Sequence, residues 1–461
     1  MKRLRLSLVT ACFLLAMCFA AGAMAAHADA QASRPMGAAA QSPAGQQQAP
    51  PAFSAPEPAK TQAPVQSYTL TPEKYEKAVA FSRAQYRLYF IQFGYGVIVL
   101  LLVLRWKIAP KYRDWAEKAA SNRFLQAVIF APLLLLTVDV LGIPLDMYGH
   151  WLSLKYDISI QKWPSWFWDW TKGELISYVI GLLLIYILYG VIRRSPRRWW
   201  LYFWMVTLPF VIFGIFIAPL VIDPLFNKFE PLNNTQPELV QALESVVNRA
   251  GMNIPPERMF LMKASLKTKA LNAYVTGFGA SKRVVVWDTT IAKMSEPETV
   301  FVFGHEMGHY VLNHVYKGIV FAAVVLFVLF YLSYKGIGGL LARYGPGWGI
   351  RDINDWASLP ALLLLLSIVG FFVAPIGNTF GRHVEHEADI YGLEVTHGLT
   401  PNSSQVAAHS FQILGEVDLA DPDPSEFIKF WLYNHPPVAE RVRFALDYDP
   451  WSKGEAPKFV K

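Results

Sequence analysis

His305, Glu306 and His309 stand in the order H-E-x-x-H within FVFGHEMGHYVLNH, residues 301–314. On a helix, two histidines four residues apart share a face and can grip one metal ion. Glu306 then sits beside the first ligand, within reach of a water that such an ion activates, and can take its proton. Two imidazoles leave zinc short of protein ligands, so a third must arrive from elsewhere in the chain. An isolated H-E-x-x-H arises by chance in roughly one chain in a hundred of this length. The apolar flanks Val300, Phe301, Val302, Phe303, Tyr310 and Val311 would equally suit a core helix with hydrogen-bonded histidines. The missing ligand therefore decides the matter.

The elements that must deliver it are strongly apolar. Of 461 residues, 53% are hydrophobic and 17% charged, with mean hydropathy +0.27, whereas about a quarter of a soluble domain is charged. The apolar residues fall in runs long enough to cross a bilayer, which sets the class as a membrane protein. The net charge of +7 gathers in short clusters beside those runs. No basic patch is interleaved with aromatics, so nucleic acid is not an expected partner. The only cysteines are Cys12 and Cys18, both in the first apolar run. A disulfide scaffold and a cysteine nucleophile are thereby excluded from the rest of the chain, and a metal site must use His and carboxylates.

Residues 1–28 read as a secretory signal, with Lys2, Arg3 and Arg5 ahead of an apolar core and small residues near Ala23, Ala25 and Ala28. An uncleaved first span is the alternative. Residues 29–70, rich in Ala, Gln and Pro, read as a disordered tether. An N-terminal membrane domain follows over 71–223, with spans expected at about 88–104, 124–141, 175–192 and 201–222. Between the first two, Arg105, Lys107, Lys111, Arg113, Lys118 and Arg123 outweigh Asp114 and Glu117. Arg193, Arg194, Arg197 and Arg198 follow the third span without an acid. Both loops are expected on the cytoplasmic side. The Trp-rich KYDISIQKWPSWFWDWTKG, residues 155–173, is expected as a re-entrant or interfacial element on the opposite face.

The soluble portion begins near residue 224. TQPELVQALESVVNRAGM carries Leu239, Leu243 and Val247 on one helical face. MFLMKAS reads as a strand, and LNAYVTGFGASKRVVVWDTT as two more around Gly279 to Arg283. Ser295 and Glu298 form a capping box at the start of the His305 helix. Two further spans, about 318–334 and 359–374, interrupt this portion, joined by the glycine-rich KGIGGLLARYGPGWG, which is expected as a cytoplasmic loop. The two spans make a return trip, so the segment after the second comes back to the side of His305.

That segment is GRHVEHEADIYGLEV, residues 381–395, with His383, Glu385, His386, Glu387 and Asp389 as candidate ligands. Glu385 and Asp389 share a helical face, and Ala388 beside them is small enough for a close helix approach. Glu385 is then the third ligand, and Asp389 is placed to accept a hydrogen bond from the free ring nitrogen of a ligating histidine.

HEMGH (305–309) and EHEAD (385–389) together resemble the M48 zinc metallopeptidases, more narrowly the integral-membrane Ste24 group, the type 1 CAAX prenyl proteases. IAPLVIDPLFNKFEPL (217–232), LKTKALNAYVTGFGASKRVVVWDT (266–289) and NHPPVAERV (434–442) resemble further stretches of that group, so the likeness spans roughly residues 75–450. It implies a mainly α-helical polytopic membrane protein with a small α+β zincin-type protease domain over 224–461, its helices enclosing an intramembrane chamber. It also implies one zinc ion per chain on His305, His309 and Glu385, with Glu306 as the base. Asn272 would lie beside the substrate and His435 would steady the oxyanion. Arg382 is expected behind the metal ligands and Arg441 at the substrate. Eukaryotic members cut prenylated C-terminal peptides. Here the charge pattern puts the site on the periplasmic side of a bacterial inner membrane, where quality control of membrane or exported polypeptides fits as well. A transporter or non-catalytic scaffold is the reading from another class. Asp139 is the main charge within the spans, no internal repeat is visible, and Glu306 is intact, all of which weigh against it.

Overall fold

The computed structural model describes residues 64–277 and 279–460; the expected signal, and the tether up to residue 63, lie outside them. The last part of the expected tether is ordered. Tyr68 is buried, the Val65 N–H donates to Gln405 Oε1 (2.9 Å) and the Thr69 N–H to Gln412 Oε1 (3.1 Å).

The N-terminal half is built from α1 (Pro72–Arg105), α2 (Ile108–Ala119), α3 (Arg123–Lys155), α4 (Trp163–Arg194) and α5 (Trp199–Phe216). All but the short, amphipathic α2 are long and apolar enough to cross a membrane. Thr71 caps α1, with Pro72 in the first turn, and Asn122 Oδ1 accepts the Phe124 N–H (2.8 Å) at the start of α3. The Trp-rich segment is not re-entrant. Its first residues form a turn tied to the soluble domain by a Ser159–Thr268 bridge, and WPSWFWDW then starts α4 with Pro164 in the first turn. The fourth span stops at Phe216 rather than 222, because Pro219 removes a helical N–H and crowds the preceding turn.

A four-stranded sheet follows, from β1 (Phe229–Pro231), β2 (Met259–Met262), β3 (Ala273–Thr276) and β4 (Arg283–Trp287), in the order β1-β2-β4-β3. β2 and β4 are parallel; the other pairs are antiparallel. Helix α6 (Pro237–Arg249) buries Leu239, Leu243 and Val247 as its periodicity requires. Alternation along β4 sends Val284 and Val286 to one core, shared with α6, and Val285 and Trp287 to another.

Helix α7 (Glu296–Val311) carries the H-E-x-x-H motif, and the Glu298 carboxylate accepts the Ser295 N–H (2.7 Å) in the expected capping box. After Asn313, whose φ of 58° is left-handed, α8 (His314–Trp348) crosses back. The expected glycine loop is helical through Trp348. Pro346 lies in the last turn of α8, and Gly349 closes it in the left-handed conformation (φ 74°). Helix α9 (Leu359–Thr396) is one unbroken rod of 38 residues, about 57 Å long against about 30 Å of hydrocarbon. Span and ligand segment are thus a single element. Helices α10 (Ser403–Val417), α11 (Glu426–Leu432) and α12 (Val438–Asp447) complete the domain.

Candidate metal centre

Helices α7 and α9 cross with almost nothing between them. A Cβ at Gly304 would meet Val395 Cγ1 at 2.9 Å, one at Gly308 would meet Tyr391 Cβ at 3.0 Å, and one at Gly392 would meet the His305 backbone nitrogen at 3.0 Å. Ala388 is fully buried on the same line. Small residues at these places let the two backbones approach until the side chains of His305, His309 and Glu385 converge.

His305 Nε2 and His309 Nε2 are 3.3 Å apart, and they lie 3.3 and 3.5 Å from Glu385 Oε2 and Oε1. Donors on a tetrahedral zinc with bonds of about 2.0–2.1 Å stand about 3.3–3.4 Å from one another. The spacing and the two-imidazole, one-carboxylate donor set therefore fit zinc. All three residues are buried, and the Glu385 oxygens make no hydrogen bond within the described residues, as suits a carboxylate that faces a cation. Of the five acids and histidines weighed in 381–395, Glu385 alone joins the pair.

Each histidine is held from behind by a different chain of contacts. His305 Nδ1 lies 2.8 Å from Asp389 Oδ1, and Asp389 takes Arg441 through Nε (2.9 Å) and a terminal guanidinium nitrogen (2.5 Å). Burial opposes charge on the His305 ring, but the Asp389 and Glu385 carboxylates outweigh it and raise the ring's pKa to about 10. A divalent cation must displace that proton. His309 Nδ1 lies 3.1 Å from His314 Nδ1, and His314 Nε2 lies 3.1 Å from Glu387 Oε2, which Lys317 also reaches at 3.4 Å.

Of the two arginines, Arg382 turns away from the three donors, while Arg441 lines the cavity beside them. The Arg382 guanidinium donates to the carbonyls of Lys429 (2.8 Å) and Tyr433 (2.5 Å) and to Thr379 Oγ1 (2.9 Å). It sits a turn before Glu385 but on the side of α9 that faces α11. Arg441, expected at the substrate, is committed to Asp389 and lies over the Phe411 ring at 4.1 Å, although one edge still faces the cavity. His314 was not a candidate in the sequence. Five residues after His309, it would point away on a continuous helix; the left-handed Asn313 turns it back.

A cavity of ≈ 230 Å³ opens from His305 and Glu306. Asn272, His435 and Arg441 line it, and its far side is formed by Phe81, Ser82 and Gln85 of α1. His435 Nε2 lies 3.2 Å from Glu385 Oε2. The Asn272 backbone is fixed by Thr290, whose hydroxyl takes its N–H (2.7 Å) and donates to its carbonyl (2.8 Å), while its Nδ2 has no hydrogen-bond partner within the described residues. β3, which follows Asn272, is the sheet edge nearest α7 and pairs only with β4.

Residues 58–228 match a family described as the CAAX prenyl protease N-terminal region with five membrane helices, and residues 233–449 match peptidase family M48. The described part of the first region holds four helices of spanning length and apolarity, with α2 between two of them. The chain is 37% identical over 385 residues to "uncharacterized metalloprotease YhfN" of Bacillus subtilis, covering 84% of this chain and 88% of that protein. It is 25% identical over 410 residues to CAAX prenyl protease 1 of Saccharomyces cerevisiae, covering 84% and 88%. The crystal structure of S. mikatae Ste24p superposes with a TM-score of 0.71 at 24% identity, covering 84% of this chain and 93% of that one.

Proposed function

The chain belongs to peptidase family M48, in its Ste24-like membrane branch, and from that premise we propose that it is a zinc-dependent metalloendopeptidase. The observation that carries the reading is the buried His305–His309–Glu385 triad at zinc spacing with Glu306 at the mouth of a cavity. Zinc bound there supplies Lewis acidity to a water and to the scissile carbonyl. Glu306 accepts the proton of that water and returns one to the leaving amine. His435 and Arg441 line the space where negative charge develops on the carbonyl oxygen, and a donor from either stabilises it. Asn272 offers a free amide to the peptide, and the edge of β3 offers backbone groups for an added strand. Asp389 and His314 hold the imidazoles in the orientation that bares both Nε2 atoms.

The proposed substrates are C-terminal peptides, CAAX-like and prenylated or not, and membrane or exported polypeptides in quality control. Relatives in yeast and rice bear the name CAAX prenyl protease 1, which supports the first class. The second is supported by the positive charge of the loops at Arg105–Arg123 and Arg193–Arg198, which favours a site on the periplasmic face of a bacterial inner membrane. The test is cleavage of an unstructured reporter peptide by purified, zinc-loaded protein, with and without chelator, beside Glu306→Gln. Activity that the chelator and the substitution both abolish is expected. Cleavage that survives Glu306→Gln would refute the assignment.

A further inference from the structure

Helix α11, EFIKFWL, is mostly apolar yet buries none of its residues. Phe427 and Phe430 are 57% and 50% exposed. With Trp431 they share one face, while Glu426 and Lys429 occupy the other, where Lys429 pairs with Glu426 (2.7 Å) and with Glu440 of α12 (2.8 Å). The apolar face continues onto two spans. Phe427 stacks on Phe90 of α1 (ring centroids 6.1 Å apart), and Trp431 meets Phe371 (5.1 Å) and Phe372 (6.3 Å) of α9. Phe372 and Ile376, a turn further along α9, are 64% and 56% exposed. Both spans change from apolar to charged near this place, three residues before Phe90 at Arg87 and six residues after Ile376 at Arg382. That change marks headgroup depth, where aromatic rings and amphipathic helices settle.

We propose that α11 is an interfacial foot: Phe427 and Phe430 insert into the outer boundary of the bilayer, and the foot sets the position of His435. The occupant is lipid, because the face is continuous with the exposed apolar surface of α1 and α9 at Ile91, Phe372 and Ile376 and lies where both spans become charged. The link to the site is short. Arg382 of α9 holds the Lys429 and Tyr433 carbonyls, and the Asn378 amide donates to the Trp431 carbonyl (2.6 Å). A Cβ at Gly381 would lie 2.8 Å from the Asn434 carbonyl oxygen, so the loop seats directly on α9 one residue before His435. A foot that left the interface would carry this loop, and His435 with it, away from Glu385. The positioning half of the proposal rests on the protease reading of the site; the docking half does not.

Both halves are tested with full-length protein in phosphatidylethanolamine/phosphatidylglycerol vesicles. Replacing Cys12 and Cys18 by Ser leaves no other thiol, so a nitroxide can be placed singly by Phe430→Cys or Glu426→Cys. The Phe430→Cys label should be relaxed several-fold more by oxygen, and less by an aqueous nickel chelate, than the Glu426→Cys label. Equal exposure of the two labels to the nickel chelate, or spin–spin broadening from a second copy, overturns lipid docking. For positioning, the Phe427→Asp/Phe430→Asp double variant should lose roughly ten-fold or more in kcat with its zinc content unchanged, and Phe427→Leu/Phe430→Leu should keep wild-type turnover. Full turnover by the Asp variant overturns it. If the label reports lipid but the wild type itself cleaves nothing, the protease reading and the positioning fall together while the docking stands.

Discussion

Replacing Gly392 by Ala tests whether close approach of α7 and α9 sets the metal geometry. The new Cβ would lie 3.0 Å from the His305 backbone nitrogen, 3.2 Å from its Cα and 3.3 Å from its Cβ. Two are backbone atoms of a helix and the third is the Cβ fixed to them, so neither partner can rotate away, and α7 must retreat by about 0.4 Å to reach ordinary contact. The retreat moves His305 relative to Glu385, which sits on the other helix, and metal–ligand distances tolerate only about 0.2 Å. Overpacking of this kind costs about 1–3 kcal/mol. Zinc binding must draw the helices back together, so a share of that cost falls on the bound form, and about 1.4 kcal/mol is a ten-fold change in affinity. The zinc Kd of Gly392→Ala should therefore weaken roughly ten-fold. The measurement is competition against a fluorescent zinc chelator in detergent. Gly338→Ala, where the Cβ meets open space, is the control and should leave the Kd unchanged. A Gly392→Ala protein that binds zinc within two-fold of wild type would show that the glycine contact does not govern donor spacing.

Other outcomes follow from the same contacts. His314→Ala leaves His309 Nδ1 without the group that orients it and should weaken zinc binding by roughly 10–100-fold, with His314→Gln recovering part of the loss. Arg441→Met leaves Asp389 buried without its counter-charge and should lower the unfolding midpoint more than Arg441→Met/Asp389→Asn does, a double-mutant comparison read by thermal melting. Burial opposes charge on Glu298, but His409 and the Ser295 N–H outweigh it and hold this carboxylate below its ordinary range. That stabilisation is complete above the unfolded pKa of about 4.3 and disappears as pH falls through the lower folded value. Glu298→Gln should accordingly reduce the unfolding midpoint at neutral pH and flatten its acid limb. A reporter fused after Lys461 should be active in its periplasmic form; activity of a cytoplasmic reporter would reverse the proposed orientation.

What the sequence made legible was periodic or long. The spans stood out as apolar runs, the two histidines of the proposed metal site as an i, i+4 pair, and Glu385 and Asp389 as another on the element returned by the last two spans. The capping box at Ser295 and Glu298 and the buried face of α6 follow from the same spacing rules, and both hold. What stayed hidden depends on a neighbour. Nothing local tells whether glycines at 336–347 sit in a loop or on an exposed helix; here they are helical, and Gly349 ends the helix in the left-handed conformation. Arg382 and Arg441 are alike in type, and only the fold shows that one clamps a loop while the other pairs with Asp389. His314 needed the left-handed turn at Asn313, which Asn tolerates but does not announce.

The three proposed ligands come from elements referenced to the membrane in different ways. Glu385 is carried on the same rod as the last span, so its height above the bilayer is fixed by α9. His305 and His309 sit on α7, which joins α8 through only two residues and is held against α9 by its glycines. The site is completed where these two arms meet, and the cavity beside it is closed by the first turns of α1, ahead of that helix's apolar stretch. A peptide that reaches Glu306 through this cavity would pass between the soluble domain and α1. That route suits a chain already held at the bilayer, by a lipid group or by its own transmembrane segment, better than one arriving from bulk solvent. The two proposed substrate classes share this property.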